Sequence, residues 1–362
     1  MDRFFKIRPS HMTSSVLLLS LLSGFAHGAS SDETSSSKQQ TFQPFSYVSQ
    51  TITGAHDAGQ LIHIDRTQSG GFSAMWASDD CQQFLFVSDY SQVPEDELAL
   101  QPVRRSMWYQ TLNTFDQKGH LRSMTVTQSG ALKALDGTTL KGAAESIFWN
   151  GDGYVVSFDD TGDLWLYPSK TPFGNIFEVT PTIYKQQASS GLDNDGLETI
   201  AKLKDGTIIS IWEKTKRDEL TATMNIIEKD SKQSSWTLQA VSNPKDATVL
   251  EDGTLVILEK DWLREKGSRL RFSLLAEPNY SNWQVDQIVN TKSVFDLTAI
   301  DYDNFEGMAS CTIENKERIF IVSDDNGDWP KRHFEDKNIP RQKTLLLSFQ
   351  VQDLINSTKL SP

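Results

Sequence analysis

The sequence predicts an all-β fold, a β-propeller of four-stranded blades, and three observations carry that prediction. A hairpin plan recurs five times along the 362 residues: an apolar run, a polar turn, a second apolar run and a closing acid. Asp-Gly turn signals sit between β-rich segments at Asp152-Gly153, Asp205-Gly206 and Asp252-Gly253. Long helical periodicity is nearly absent.

The five hairpins run from Gly70 to Asp89, Ala144 to Asp159, Asp195 to Glu213, Lys245 to Glu259, and Asn304 to Asp328. Their first strands open at Ser73, Glu145, Glu198, Asp246 and Glu306, at intervals of 72, 53, 48 and 60 residues. Each interval leaves room for two more strands, such as those around Trp165, Met224, Trp236 and Phe272. Four strands per repeat of this length is the pattern of propeller blades. The count is five blades, with room for a sixth in the first interval.

The last repeat shows only three strands, the third being Leu345 to Gln350. Phe45 to Ile52 has strand character and no partner of its own. Pairing it with the last blade would close the ring and remove open sheet edges. Closure sets the first and last repeats side by side, with Cys81 and Cys311, the only cysteines, near the turns of their hairpins. A Cys81–Cys311 disulfide would staple the ring, and two unpaired thiols are the alternative.

Before the hairpins, residues 1–28 read as an export signal. Arg3, Lys6 and Arg8 precede the apolar stretch from Ser14 to Ala26, and Ala26-His27-Gly28 offers a cleavage site. That stretch is too short to span a bilayer as a helix, so the expected location is periplasmic or secreted. Residues 29–41 are Ser/Gln-rich and read as a disordered tether. The propeller domain takes 42–351, and 352–362 form a tail.

A net charge of −13 argues against nucleic acid or an anionic membrane surface as partner. It suits a small-molecule ester or phosphate ester handled with the help of a cation, by a chain expected to be monomeric.

Hairpin geometry returns both ends of each repeat to one side, so their polar residues should converge on one channel mouth. Glu145, Glu198 and Glu306 are the candidate general bases. Asp89, Asp159, Glu213, Asp246, Glu259, Asp324 and Asp325 are the candidate metal ligands, and an oxygen-rich set without sulfur suits a divalent cation such as Ca²⁺. Lys214, Lys260, Arg341 and Lys343 are placed to neutralise phosphate charge. Trp212, next to Glu213, reads either as core or as part of the mouth.

The motifs Glu306-Gly-Met-Ala309, Val322-Ser-Asp-Asp-Asn326 and Gln342-Lys-Thr-Leu-Leu-Leu-Ser-Phe349 close the chain. Asp195-Gly-Leu-Glu-Thr-Ile-Ala201 and the Lys245–Glu259 segment precede them. In this order and spacing they resemble the bacterial phytase-like domain family, whose members are labelled "esterase-like activity of phytase". The resemblance covers Val48 to Val351. It implies an exported propeller protein that hydrolyses esters or phosphate esters. Members often carry Gln-Arg-Thr before the last strand, where this chain has Gln342-Lys343-Thr344. No catalytic residues come with the resemblance, so the roles above rest on the residues themselves.

Other hydrolase signatures are missing. Gly71-Phe-Ser-Ala-Met75 lacks the second glycine of a nucleophile elbow. No H-E-x-x-H occurs. No glycine follows Arg332-His333, and Cys311 and Arg318 are one residue too far apart for a C-x₅-R loop. What remains is cation-assisted hydrolysis at the acidic mouth. A non-enzymatic binding propeller and a lactonase-like hydrolase are the competing readings.

Overall fold

The structure is a computed structural model. It describes residues 60–63, 71–89, 106–140, 142–158, 162–173, 179–185, 196–213, 221–230, 232–240, 242–263, 267–276, 283, 288–298, 304–324 and 344–357. The segments expected as an export signal (1–28), a tether (29–41) and a closing strand (Phe45 to Ile52) lie outside these residues. So do Asp159, Lys214, Asp325, Arg341 and Lys343.

Among the described residues, twenty-one strands fall into five sheets. The first strand in sequence, β1 (Gln60–His63), belongs to the last sheet. The first blade is β2 (Phe72–Ala77), β3 (Gln83–Ser88), β4 (Met107–Phe115) and β5 (Leu121–Ala131), paired in that order. The second is β6 (Ala144–Trp149), β7 (Gly153–Phe158), β8 (Leu164–Pro168) and β9 (Thr182–Lys185). The third is β10 (Thr199–Lys202), β11 (Ile208–Ile211), β12 (Thr221–Ile227) and β13 (Gln233–Gln239). The fourth is β14 (Asn243–Val249), β15 (Leu255–Leu263) and β16 (Gly267–Leu275). Its outer edge is β18 (Lys292–Thr298), while β17 (Ile288–Val289) runs parallel on the edge of blade three. The fifth holds β19 (Asn304–Ile313), β20 (Lys316–Asp324) and β21 (Leu345–Gln350).

The ring closes as expected in kind, but with a different segment. β1 pairs antiparallel with β21, Gln60 opposite Ser348 and His63 opposite Leu345. The long first interval holds no sixth blade among the described residues, because β4 and β5 are themselves nine and eleven residues long.

The predicted turns form for a local reason. Asp205 Oδ1 and Asp252 Oδ1 accept the backbone N–H of Thr207 and Thr254, each at 2.8 Å, and Gly206 and Gly253 take φ of +88° and +92°. Only glycine adopts that backbone without strain.

Five buried apolar clusters fill the seams between neighbouring blades. Phe272 of blade four meets Phe349 of blade five, and Phe84 of blade one meets Phe320 of blade five at a centroid distance of 4.9 Å. Trp212 is core: it is buried between blades two and three, where its ring lies over Gly162. The tail begins as α1 (Val351–Ser357), whose Val351 and Leu354 join the cluster between blades four and five.

The seam between blades one and five carries a covalent bond. Cys81 and Cys311 form a disulfide across 230 residues, with their Cα atoms 5.3 Å apart. Beside it Thr312 N donates to Asp79 O at 2.8 Å. Farther along this seam Gly307 lies so close to β2 that an added Cβ would meet Ala74 Cα at 2.8 Å. A crosslink over a loop this long limits the unfolded chain by about 5 kcal/mol at most. The Cys81→Ser, Cys311→Ser variant is therefore expected to lose about 2–5 kcal/mol in denaturant unfolding. A smaller loss would mean that the apolar seam alone closes the ring.

Candidate active site

Each hairpin contains one surplus residue at the same place in its inner strand. The pairing slips between Phe72 and Ala74, Ala144 and Ser146, Pro244 and Asp246, and Phe305 and Gly307. In blade three Glu213 N reaches Gly196 O at 2.9 Å while Thr199 pairs with Ile211, the same slip around Glu198. The surplus residues are Ser73, Glu145, Glu198, Lys245 and Glu306. A β-bulge turns its extra side chain out of the normal alternation. Here five bulges bring those side chains together at the end of the sheets away from the hairpin turns.

The expected register is therefore right in four blades and wrong by one in the fourth. Lys245, not Asp246, stands where the other blades present Ser73, Glu145, Glu198 and Glu306. The bulge turns Asp246 into the channel interior, where it is 1% exposed. Its Oδ1 accepts Ser146 Oγ at 2.6 Å and Ala247 N at 2.9 Å, and its Oδ2 accepts Met308 N at 2.6 Å. Asp246 thus ties blades two and five to blade four. Burial pushes its pKa well above the usual carboxylate range, against those three hydrogen bonds.

The return strands show the same slip. Asp89 N bonds Gly71 O, Glu213 N bonds Gly196 O, Lys260 pairs with Asn243, and Asp324 pairs with Asn304. Lys260, not Glu259, is the equivalent residue in blade four. Glu259 points the other way, fully buried, accepting Ser242 N at 2.7 Å and lying opposite Arg271 across the sheet.

Two ammonium groups thread this ring of acids. Lys245 Nζ is 3.0 Å from Glu198 Oε1 and 3.4 Å from Glu213 Oε1, and Asn243 Nδ2 donates to the same Glu213 oxygen at 2.9 Å. Lys260 Nζ is 2.7 Å from Glu306 Oε1 and also donates to Asn304 Oδ1. Asn304 Nδ2 joins Glu306 Oε1 at 2.9 Å and Asp324 Oδ2 at 3.0 Å. The sequence reading missed Lys245, Asn243 and Asn304. One signal was available: every surplus residue follows an apolar one (Phe72, Ala144, Leu197, Pro244, Phe305).

Burial acts on Glu145, Glu198, Lys245 and Glu306 alike, but the outcome differs with the neighbours. Burial raises Glu145 well above the usual range, and the carboxylates of Glu198, Asp89 and Glu306 push it further. Burial lifts Glu198 to about 8 despite Lys245. Burial also acts on Glu306, yet Lys260 and Lys245 outweigh it and hold its pKa below the usual value. Lys245 is pulled down by burial, but Glu198, Glu306, Glu213 and Glu145 together hold its ammonium well above the ordinary lysine value. Lys245 is shared among four carboxylates, so Glu145 and Glu198 are raised, while Glu306, which also has Lys260, is held down.

A divalent cation does not fit the described donors. No three acids, histidines or cysteines among the described residues are grouped to hold a metal ion. Glu198, Glu213 and Glu306 already face ammonium groups, and Asp246 and Glu259 are turned away. At the turn end of the hairpins lies a different cavity of about 410 Å³, whose lining includes Lys202, Lys204, Glu251 and Glu317. It contains none of the ring residues.

Two stability tests follow. Lys245→Met strands buried acids without their cation and is expected to cost about 3–5 kcal/mol, most of it recovered in Lys245→Met, Glu198→Gln. Glu198 is protonated to about pH 8 when folded but loses its proton near its ordinary 4.5 when unfolded. The folded state therefore binds the extra proton between those values, and this group's contribution to stability falls as pH rises through that window. Glu198→Gln should flatten the decline in melting temperature between pH 5 and 8; an unchanged slope would refute the assignment.

The comparisons with known proteins bear on the family and the fold. No curated protein sequence is a recognisable relative of the chain. Among solved structures, an α-L-arabinofuranosidase from Clostridium thermocellum is similar at 10% identity and a TM-score of 0.46, over 75% of this chain and 88% of that one. The RS223 β-xylosidase is similar at 8% identity and a TM-score of 0.47, over 80% and 94%. A structure described as a putative 6-phosphogluconolactonase from Bacteroides uniformis is similar at 12% identity and a TM-score of 0.32, over 77% and 78%. The phytase-like family, described as "Esterase-like activity of phytase", matches residues 67–327, a span that includes the inner hairpins of all five blades and every bulge. On that match the chain belongs to the phytase-like family.

Proposed function

We propose that the chain hydrolyses a small-molecule ester at the bulge ring, with Glu145 as proton donor and Glu306 as base. One observation carries this reading: within a single ring the surroundings raise the Glu145 carboxyl well above the ordinary value and hold Glu306 below it. Neighbouring carboxyls with separated pKa values are how one site runs acid and base chemistry together.

In the proposed reaction Glu306 takes a proton from a water molecule as that water attacks the ester carbonyl. The Lys245 ammonium faces the negative charge that develops on the carbonyl oxygen. Glu145 then gives its proton to the departing alkoxide, so an acid and an alcohol leave. The proton on Glu306 returns to Glu145 through solvent, and the site is restored. Asn304 and Lys260 hold Glu306 in place through its Oε1.

The family description supports ester chemistry. Charge favours a carboxylic ester, a lactone included, over a phosphate ester. The described ring sets Asp89, Glu145, Glu198, Glu213, Glu306 and Asp324 against Lys245 and Lys260, and an anionic phosphate gains little from that balance.

The test is turnover of aryl carboxylic esters, lactones, aryl phosphates and phytate by the purified chain and by two variants. Glu145→Gln and Glu306→Gln are each expected to lower kcat by roughly 10²-fold or more on a carboxylic ester or lactone. The wild-type rate should fall in acid as Glu306 gains a proton and in alkali as Glu145 loses one. Glu145→Gln should lack the alkaline limb. Turnover by none of these substrates with folded protein would overturn the reading and favour a binding propeller.

A further inference from the structure

Blade four departs from its neighbours twice, and in the same sense. At the bulge, blades two, three and five present glutamates and blade one a serine, whereas blade four presents Lys245. On the return strand, blades one, three and five present Asp89, Glu213 and Asp324, whereas blade four presents Lys260. The two lysines reach in opposite directions. Lys245 crosses to Glu198 and Glu213 of blade three, and Lys260 crosses to Asn304 and Glu306 of blade five.

We propose that Lys245 and Lys260 are the built-in cations of this mouth, holding the place a divalent metal would otherwise take among its acids, so that the ring accepts Ca²⁺ only when a lysine is removed. A hard cation needs six to eight oxygens at about 2.3–2.6 Å. Three of the acids it would recruit already lie 2.7–3.4 Å from an ammonium nitrogen. A Ca²⁺ ion sharing those oxygens would sit against two positive charges in a site where burial leaves them poorly screened. Each lysine is fixed as well as charged. The side chains of Lys245 and Lys260 are only 9% and 11% exposed, and the bulge and the Asn243–Lys260 pairing set where they emerge.

The inference concerns binding and stands apart from turnover, so it can fail while ester hydrolysis holds, and the reverse. It is tested by calorimetric titration of CaCl₂ into the chelator-stripped full chain, with melting temperature measured with and without Ca²⁺. Wild type is expected to show no Ca²⁺ binding that Glu306→Gln or Glu198→Gln abolishes, and no Ca²⁺-dependent rise in melting temperature lost in those variants. Lys260→Gln frees Glu306 and Asn304 and is expected to bind Ca²⁺ at least 10-fold more tightly than wild type, with a melting temperature that Ca²⁺ raises by a few degrees. Lys245→Met is the second variant, used if far-ultraviolet circular dichroism finds Lys260→Gln unfolded. Sub-millimolar Ca²⁺ binding by wild type that disappears in Glu306→Gln would overturn the proposal. So would folded lysine variants that bind Ca²⁺ no better than wild type.

Discussion

The site exists because five inner strands each carry one residue more than the strand they pair with. In a regular strand alternate side chains face opposite sides of the sheet, so a charge at this position would be committed to one seam or the next. The bulge removes that constraint for one residue per blade and turns it to the mouth. Residues before and after it return to alternation and fill the seams: Phe72 and Met75 in one blade, Phe305 and Met308 in another. Packing and site are thereby decoupled, and the position tolerates Ser73, Glu145, Glu198, Lys245 or Glu306 without altering the blade.

Once the charges are gathered, their number sets their protonation. Burial disfavours the charged forms of Glu145, Glu198, Lys245 and Glu306, and two lysines stand among six acids. The imbalance is resolved unevenly, because each lysine lies against particular carboxylates. Glu306 has Lys260 and Asn304 on one oxygen and is held below the ordinary carboxyl value, while burial and the carboxylates of Glu198, Asp89 and Glu306 raise Glu145 against the weaker pull of Lys245. This division of labour requires no unusual residue, only unequal distances from two ammonium groups. It also gives blade four its distinct role, since both cations come from there.

Ring closure uses three independent means at one seam. β1 completes the fifth sheet, apolar side chains of blades one and five interdigitate, and the Cys81–Cys311 bond joins the two hairpins near their turns. The bond lies toward the opposite end of the hairpins from the bulge ring. It can hold the ring shut without touching the mouth.

The sequence by itself determined the blades. Apolar runs, Asp-Gly turns and the spacing of repeats are local properties, and they located all five inner hairpins and the pairing of Cys81 with Cys311 as one of two outcomes. Convergence of Glu145, Glu198 and Glu306 followed from hairpin geometry alone. Only the tertiary structure decided the register of blade four, because a bulge is a mismatch between two strands, and the apolar residue before each surplus one is too common a feature to mark it alone. That single slip put Lys245 in the place expected for Asp246 and made Lys260, already expected near the mouth, the counterpart of Asp89, Glu213 and Asp324 in place of Glu259. The choice of β1 as closing strand was likewise tertiary, because pairing with β21 is a contact between segments far apart in the chain, Gln60–His63 and Leu345–Gln350, that neither states locally.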